Sequence, residues 1–145
     1  MRRWKDSLMS AGIFYAQAGM GGKVRAQALV ASDGFSARYD LDRIHGLFSR
    51  PEHKLAGQSY RDRVLVLDAA KGGVATAWML HEMAARGVIP AALVLNRVNP
   101  IMVQGAALAG FTMISGFACD ITKAIPNGAE VEVDPTGERP FIRVV

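Results

Sequence analysis

The chain has 145 residues, half of them apolar, which is enough for one hydrophobic core and too few for two ordinary domains. Of its net charge of +4, Arg2, Arg3 and Lys5 against Asp6 supply a share at the N-terminus, leaving 14 basic and 12 acidic side chains elsewhere. With no Lys/Arg cluster interleaved with aromatics, nucleic acid is excluded as a partner, and the single cysteine, Cys119, excludes an internal disulfide and an all-cysteine metal site built from this chain alone.

Residues 1–19 read as an N-terminal extension, closed by Gly19, Gly21 and Gly22, with the domain spanning 20–145. The basic start and Ala16-Gln17-Ala18 imitate a secretory signal, but Asp6, Ser7, Ser10 and Gly12 interrupt the apolar run that one needs. A reducing, cytoplasmic compartment is therefore expected, with Cys119 as a small core residue. Residues 23–31 (KVRAQALVA) predict a half-buried strand, with Val24, Ala26, Ala28 and Val30 on one face. Periodicity then fails from 32 to 60, a long loop carrying His45, His53, Asp40 and Asp42, the two carboxylates flanked by Arg38 and Arg43 and expected to cap and pair within the loop. The histidines have no metal-site spacing, and structural or solvated roles are expected of them.

Residues 63–68 (RVLVLD) predict a strand, 74–86 a helix and 91–96 (AALVLN) a second buried strand, which together form a parallel, right-handed strand-helix-strand unit. Along the helix, Thr76, Met79, Leu80, Met83 and Ala84 form a core stripe, and Trp78, His81, Glu82 and Ala85 lie opposite. Asn99-Pro100 reads as an N-cap with proline at the first helical position, opening a small-residue helix to about Ala109. Residues 98–119 carry no charge, but Asn99, Pro100, Gln104 and three glycines break the run into buried pieces, so no membrane span is expected. A strand at 111–115, a helical turn near 120–125 and a C-terminal β-hairpin around Pro135-Thr136-Gly137 complete an α/β fold.

The chemistry concentrates where the two parallel strands end. Both following loops should emerge at one edge of the sheet and open helices there, bringing unpaired N–H groups, Lys71 and Arg97 to one crevice that suits a small anion, with Gly72 and Gly73 allowing close backbone approach. The segment AAKGG has neither the spacing of a Walker A loop nor that of a dinucleotide fingerprint. A plain tight turn stays open as its alternative.

The strings GGKVRAQALV, FSARYDLDRIHG, EHKLAGQSYRDRVLVLDAAKGG, NRVNPIMVQGAALAG and PNGAEVEVD resemble, in this order and over residues 19–134, the small subunit or swivel domain of the aconitase X family of hydro-lyases. The resemblance implies a swivelling β/β/α domain that caps the active site of a larger subunit. That partner carries an iron or iron-sulfur cluster, forms a heterodimer with this chain, and is required for activity; this chain itself holds no cofactor. Family members dehydrate small anionic hydroxy acids such as phosphomevalonate, or cis-3-hydroxyproline, the metal acting on the leaving hydroxyl while a base removes a proton. Family loops commonly read basic-Gly-Ser, with that serine as the proton acceptor; here the matching residues are Lys71, Gly72 and Gly73. The base would then be Lys71, Thr76 or a residue of the partner, with Lys71, Gly72, Gly73, Arg97 and Asn99 binding substrate. Two other readings remain: a non-catalytic anion-binding or regulatory module, and a phosphohistidine-type swivelling domain, in which Thr76 stands at the histidine's place and His81 lies too far along the helix.

Overall fold

Along VLVLDA (64–69) and ALVLNR (92–97) leucine alternates with valine or alanine, and this alternation sorts the apolar side chains into two cores. The structure, a computed structural model, describes residues 12–145. Its strands are β1 (Ile13–Met20), β2 (Val24–Val30), β3 (Leu41–Asp42), β4 (Leu47–Phe48), β5 (Val64–Ala69), β6 (Ala92–Arg97), β7 (Met113–Phe117), β8 (Glu130–Asp134) and β9 (Phe141–Val144). The helices are α1 (Val74–Arg86), α2 (Pro100–Leu108) and the short α3 (Ile121–Ala124). Seven strands close a barrel in the order β1-β7-β6-β5-β2-β8-β9, while β3 and β4 pair separately. The neighbours β2-β5, β5-β6 and β6-β7 are parallel, and the other barrel pairs are antiparallel.

One buried cluster draws on all seven barrel strands: Ala16, Ala28, Val64, Val66, Ala92, Val94, Ile114, Val131, Val133 and Ile142, closed by Ile121 and Ile125 around α3. Side chains contributed by every strand can meet only inside the barrel, where compact Ala, Val and Ile fill the narrow interior. The alternate positions Leu29, Leu65, Leu67, Leu93, Leu95 and Met113 face outward and form the second core. Against them pack Leu80 and Met83 of α1, Met102 and Ala106 of α2, and Phe35, Phe48, Leu55 and Tyr60 of the long loop. Burial on both faces explains why β5 and β6 read as continuous apolar runs. The expected core stripe of α1 holds in Thr76, Leu80 and Met83.

The expected α/β architecture, with its parallel β5-α1-β6 unit and the β8-β9 hairpin, is present. Two boundaries and the placement of one residue need correction. Residues 13–19 are not extension: β1 pairs with β7 from Ala16 to Met20 and with β9 from Ile13 to Tyr15, so it is an integral stave of the barrel. Ala16-Gln17-Ala18 lies within that strand, whereas Arg2, Arg3, Lys5 and Asp6 fall outside the described residues. The strand expected at 111–115 runs from Met113 to Phe117, because Phe111 is taken by the turn after α2, where its N–H donates to Ala106 O at 3.0 Å. Cys119 is exposed rather than a core residue.

The 32–60 segment is ordered from within by its acidic residues. Buried Asp40 accepts from Ser36 N–H at 2.9 Å and from Arg50 Nε at 2.6 Å, and Asp42 caps the Ile44 and His45 amides. These carboxylates cap and pair within the loop as expected, although Asp40 takes Arg50 rather than Arg38 or Arg43. No helix among the described residues is long and apolar enough to cross a membrane.

Helices α1 and α2 touch through a glycine. A Cβ at Gly105 would lie 2.9 Å from Ala77 Cα. Gly105→Ala should therefore push the helices apart and lower stability by roughly 1 kcal/mol, the lower end for overpacked sites. A urea midpoint that does not move would contradict this packing.

Candidate functional site

Strands β5 and β6 run in register, Leu67 beside Leu95 and Ala69 beside Arg97, so both chains leave the sheet at the same carboxyl edge and turn into helices there. The two helix caps differ. Asn99, the N-cap of α2, accepts from Met102 N–H at 2.9 Å, while Gly73, the N-cap of α1, offers no side-chain acceptor. The first-turn amides of α1 are therefore left without a side-chain cap. Asn99 Nδ2 also donates to Gly72 O at 3.4 Å, joining the two turns across the edge.

Within Lys71-Gly72-Gly73 the two glycines have different causes. Gly72 has φ +100°, and a Cβ there would collide with the Thr76 side chain, so glycine is required. Around Gly73 the space is open, and its lack of a side chain answers no local packing demand. Lys71 and Gly72 are exposed. No carboxylate of the described residues lies within salt-bridge distance of the Lys71 ammonium.

The remaining expected site residues are engaged otherwise. Arg97 donates to Asp68 Oδ2 at 2.8 Å, so its guanidinium, 72% exposed, is shared with a neighbouring strand end. Asn99 is a helix cap whose amide group is turned to Gly72. Thr76 is buried, 1% exposed, with its side chain beneath Gly72, so its hydroxyl is covered in this chain. The structure thus brings Lys71, Gly72, Gly73 and Asn99 together at one edge and leaves Lys71 and the α1 amides as the groups open to a ligand.

A polar cluster unforeseen in the sequence underlies this edge. Asn96 Nδ2 donates to Asp68 Oδ1 at 3.0 Å and to Asp120 Oδ1 at 2.8 Å, and Asn96 Oδ1 accepts from Ile121 N–H at 2.9 Å. Hydrogen bonds from Asn96 and then Arg97 hold the Asp68 carboxyl below the usual carboxylate range. Those from Thr122 and Asn96 do the same for Asp120. The signal available beforehand was that Asp68 and Asn96 end equivalent apolar runs, which places them side by side.

Beside the loop runs an open apolar groove of about 560 Å³ between α1 and α2, lined by Val74, Ala77, Trp78, Ile101, Gly105 and Leu108. Trp78 is 69% exposed, as the helix phase predicts, with His81 edge-on to it. His45 pairs with Asp42 at 2.8 Å, and His53 is buried against Phe48. Among the described residues no three His, Cys, Asp or Glu side chains are grouped so as to hold a metal ion.

Known proteins resemble this chain in sequence and in fold. The family model of the aconitase X swivel domain matches residues 13–142. The phosphomevalonate dehydratase small subunit of Methanopyrus kandleri is 32% identical over 115 residues, covering 79% of this chain and 85% of that protein. The protein of the same name from Methanothermobacter thermautotrophicus is 31% identical over 113 residues, covering 78% and 86%. Among solved structures, the holo-form of Thermococcus kodakaraensis aconitase X superposes with a TM-score of 0.82 at 20% identity, covering 92% of this chain and 98% of that one. A UPF0107 protein solved by NMR gives 0.80 at 22% identity, covering 92% and 98%. At those identities the structures speak for the fold, while the model spanning nearly the whole described barrel and the relatives above 30% identity settle the lineage: the chain belongs to the aconitase X swivel-domain family.

Proposed function

We propose that this chain is the small, swivelling subunit of a cytoplasmic aconitase X-type hydro-lyase, seated on a larger subunit and closing over a small anionic hydroxy acid. The observation that carries the reading is a juxtaposition: the open Lys71-Gly72-Gly73 turn begins the same helix whose flank, through Val74 and Trp78, borders an uncovered apolar groove. A partner bound along that flank would exclude water from the turn, and charge-assisted hydrogen bonds to a carboxylate or phosphate strengthen when water is excluded. Phosphomevalonate is the first candidate substrate, because relatives that share most of this chain's length carry that name.

The loop's own contribution is binding and orientation. Lys71 supplies a full positive charge and the α1 amides supply directed donors, which together would hold the anionic end of a substrate. Proton removal falls to Lys71 or to the partner, since Gly73 has no ionisable group and Thr76 is buried. The described residues do not fit an iron or iron-sulfur cluster, with one exposed cysteine and no grouped ligands, so the metal is assigned to the large subunit. A second reading, an anion-binding module without catalysis, is favoured by the missing hydroxyl at Gly73.

The test is co-expression with the large subunit encoded in the same host, followed by iron analysis and assays on phosphomevalonate and cis-3-hydroxyproline. The complex should contain iron and dehydrate one of them, while this chain alone should bind no stoichiometric iron and turn over neither. Iron and turnover in the single chain would overturn the assignment. An iron-bearing complex that binds these acids without dehydrating them would favour the second reading.

A further inference from the structure

Resting on the reading of Lys71 as a substrate-contacting group, we propose that Gly34 and buried His53 are positioning residues that fix the Lys71 ammonium over the loop. The chain from Asp33 to Phe35 runs alongside the end of β5. Asp68 N–H donates to Asp33 O at 2.8 Å, Phe35 N–H to Ala69 O at 2.9 Å, and Lys71 N–H to Phe35 O at 2.8 Å. Gly34 is thereby set beneath the Lys71 side chain, and a Cβ on it would lie 2.6 Å from Lys71 Cε, 3.2 Å from Cδ and 3.1 Å from Nζ. The lysine stem uses the space that a glycine leaves.

Gly34 cannot yield that space by moving. Its N–H donates to Asp33 Oδ1 at 2.7 Å, and its carbonyl accepts from His53 Nε2 at 2.8 Å. His53 is held in turn, because its Nδ1 accepts from Leu55 N–H at 3.0 Å and its ring stacks on Phe48 at 4.6 Å between centroids. Asp33 is fixed by Lys54 N–H at 3.0 Å, and Arg50 lies 4.0 Å away while gripping Asp40. Between a pinned backbone and the free end of a flexible side chain, an added methyl group displaces the side chain. The long 32–60 segment thus acts as the rest on which the ammonium lies.

Gly34→Ala should therefore leave the fold intact and move Lys71. In the assembled enzyme we expect kcat/KM on the dehydrated acid to fall about three- to tenfold, since small misplacements of a binding group are costly to rate. In a Lys71→Ala background the same change should have no further effect, and the melting point should change little. A loss that adds to that of Lys71→Ala, or full activity in Gly34→Ala, overturns the inference. If Lys71→Ala itself is without effect, the reading of the site fails instead. A readout on the unsubstituted free chain keeps the two apart: the Lys71 ε-protons should show nuclear Overhauser contacts to the Gly34 α-protons, and their absence overturns the placement whatever the activities.

Discussion

Trp78→Ala is expected to weaken association with the large subunit about 30-fold, roughly 2 kcal/mol, while leaving the free domain as stable as before. The expectation follows from where the indole stands. It is 69% exposed on α1, beside Val74 at 63%, Ile101 at 44% and Leu108 at 78%, so removing it from the free chain deletes little buried contact. A large aromatic over an apolar groove has the most area to lose from water when a partner covers it. Calorimetric titration of the large subunit with each variant measures the effect, with Leu108→Ala as a smaller-residue comparison. A Trp78→Ala chain that unfolds alone, yet binds normally when folded, would place the tryptophan in the core and the docking surface elsewhere.

The parts of this fold that can be read from sequence are those whose environment is the same along their length. RVLVLD and AALVLN lie in strands covered on both faces and announce themselves as apolar runs; α1 shows its stripe because one side packs on the sheet and the other meets solvent. Strand β1 fails this condition. In IFYAQAGM the short apolar run Ile13 to Ala16 gives way to Gln17 and Gly19 without alternation, only Ala16 is buried, and the partners β7 and β9 come about 100 and 130 residues later. Local pattern carries no trace of such pairing.

The site divides the same way. That two helix N-termini meet at one sheet edge follows from the strand-helix-strand unit and is legible. That Arg97 pairs with Asp68 depends on its side chain reaching back to the neighbouring strand end instead of outward, a choice that the pattern of neither strand reveals. Thr76 illustrates a third case: its position on the core stripe of α1 was readable, and that position is the reason it is buried beneath Gly72. The role of Gly34 depends on a contact across 37 positions of chain and has no signature except the glycine itself.

Lys71→Ala in the assembled enzyme should lower kcat/KM at least about tenfold, equivalent to roughly 1.4 kcal/mol of transition-state binding, and leave the melting point nearly unchanged. The fold should be indifferent because the side chain is exposed and makes no ion pair among the described residues. Catalysis should be sensitive because, with Arg97 paired to Asp68, Lys71 is the full positive charge left open in the Lys71-Gly72-Gly73 turn. Gly73→Ser is the companion experiment. The position has open space, so a serine side chain should be accommodated; with ψ −135° in place of the 159° of Asn99, the backbone must turn before that serine can cap the first-turn amides of α1. Its hydroxyl would stand where the family resemblance places the proton acceptor. Raised turnover in Gly73→Ser would mean that this branch works without a hydroxyl it could use, with Lys71 or the partner as base. Lowered turnover would mean that the bare glycine makes room for the ligand, and a serine confined to capping would raise the melting point by itself. If neither substitution changes binding or turnover in the complex, the stretch from Lys71 to Gly73 is a tight turn and the anion site lies on the partner.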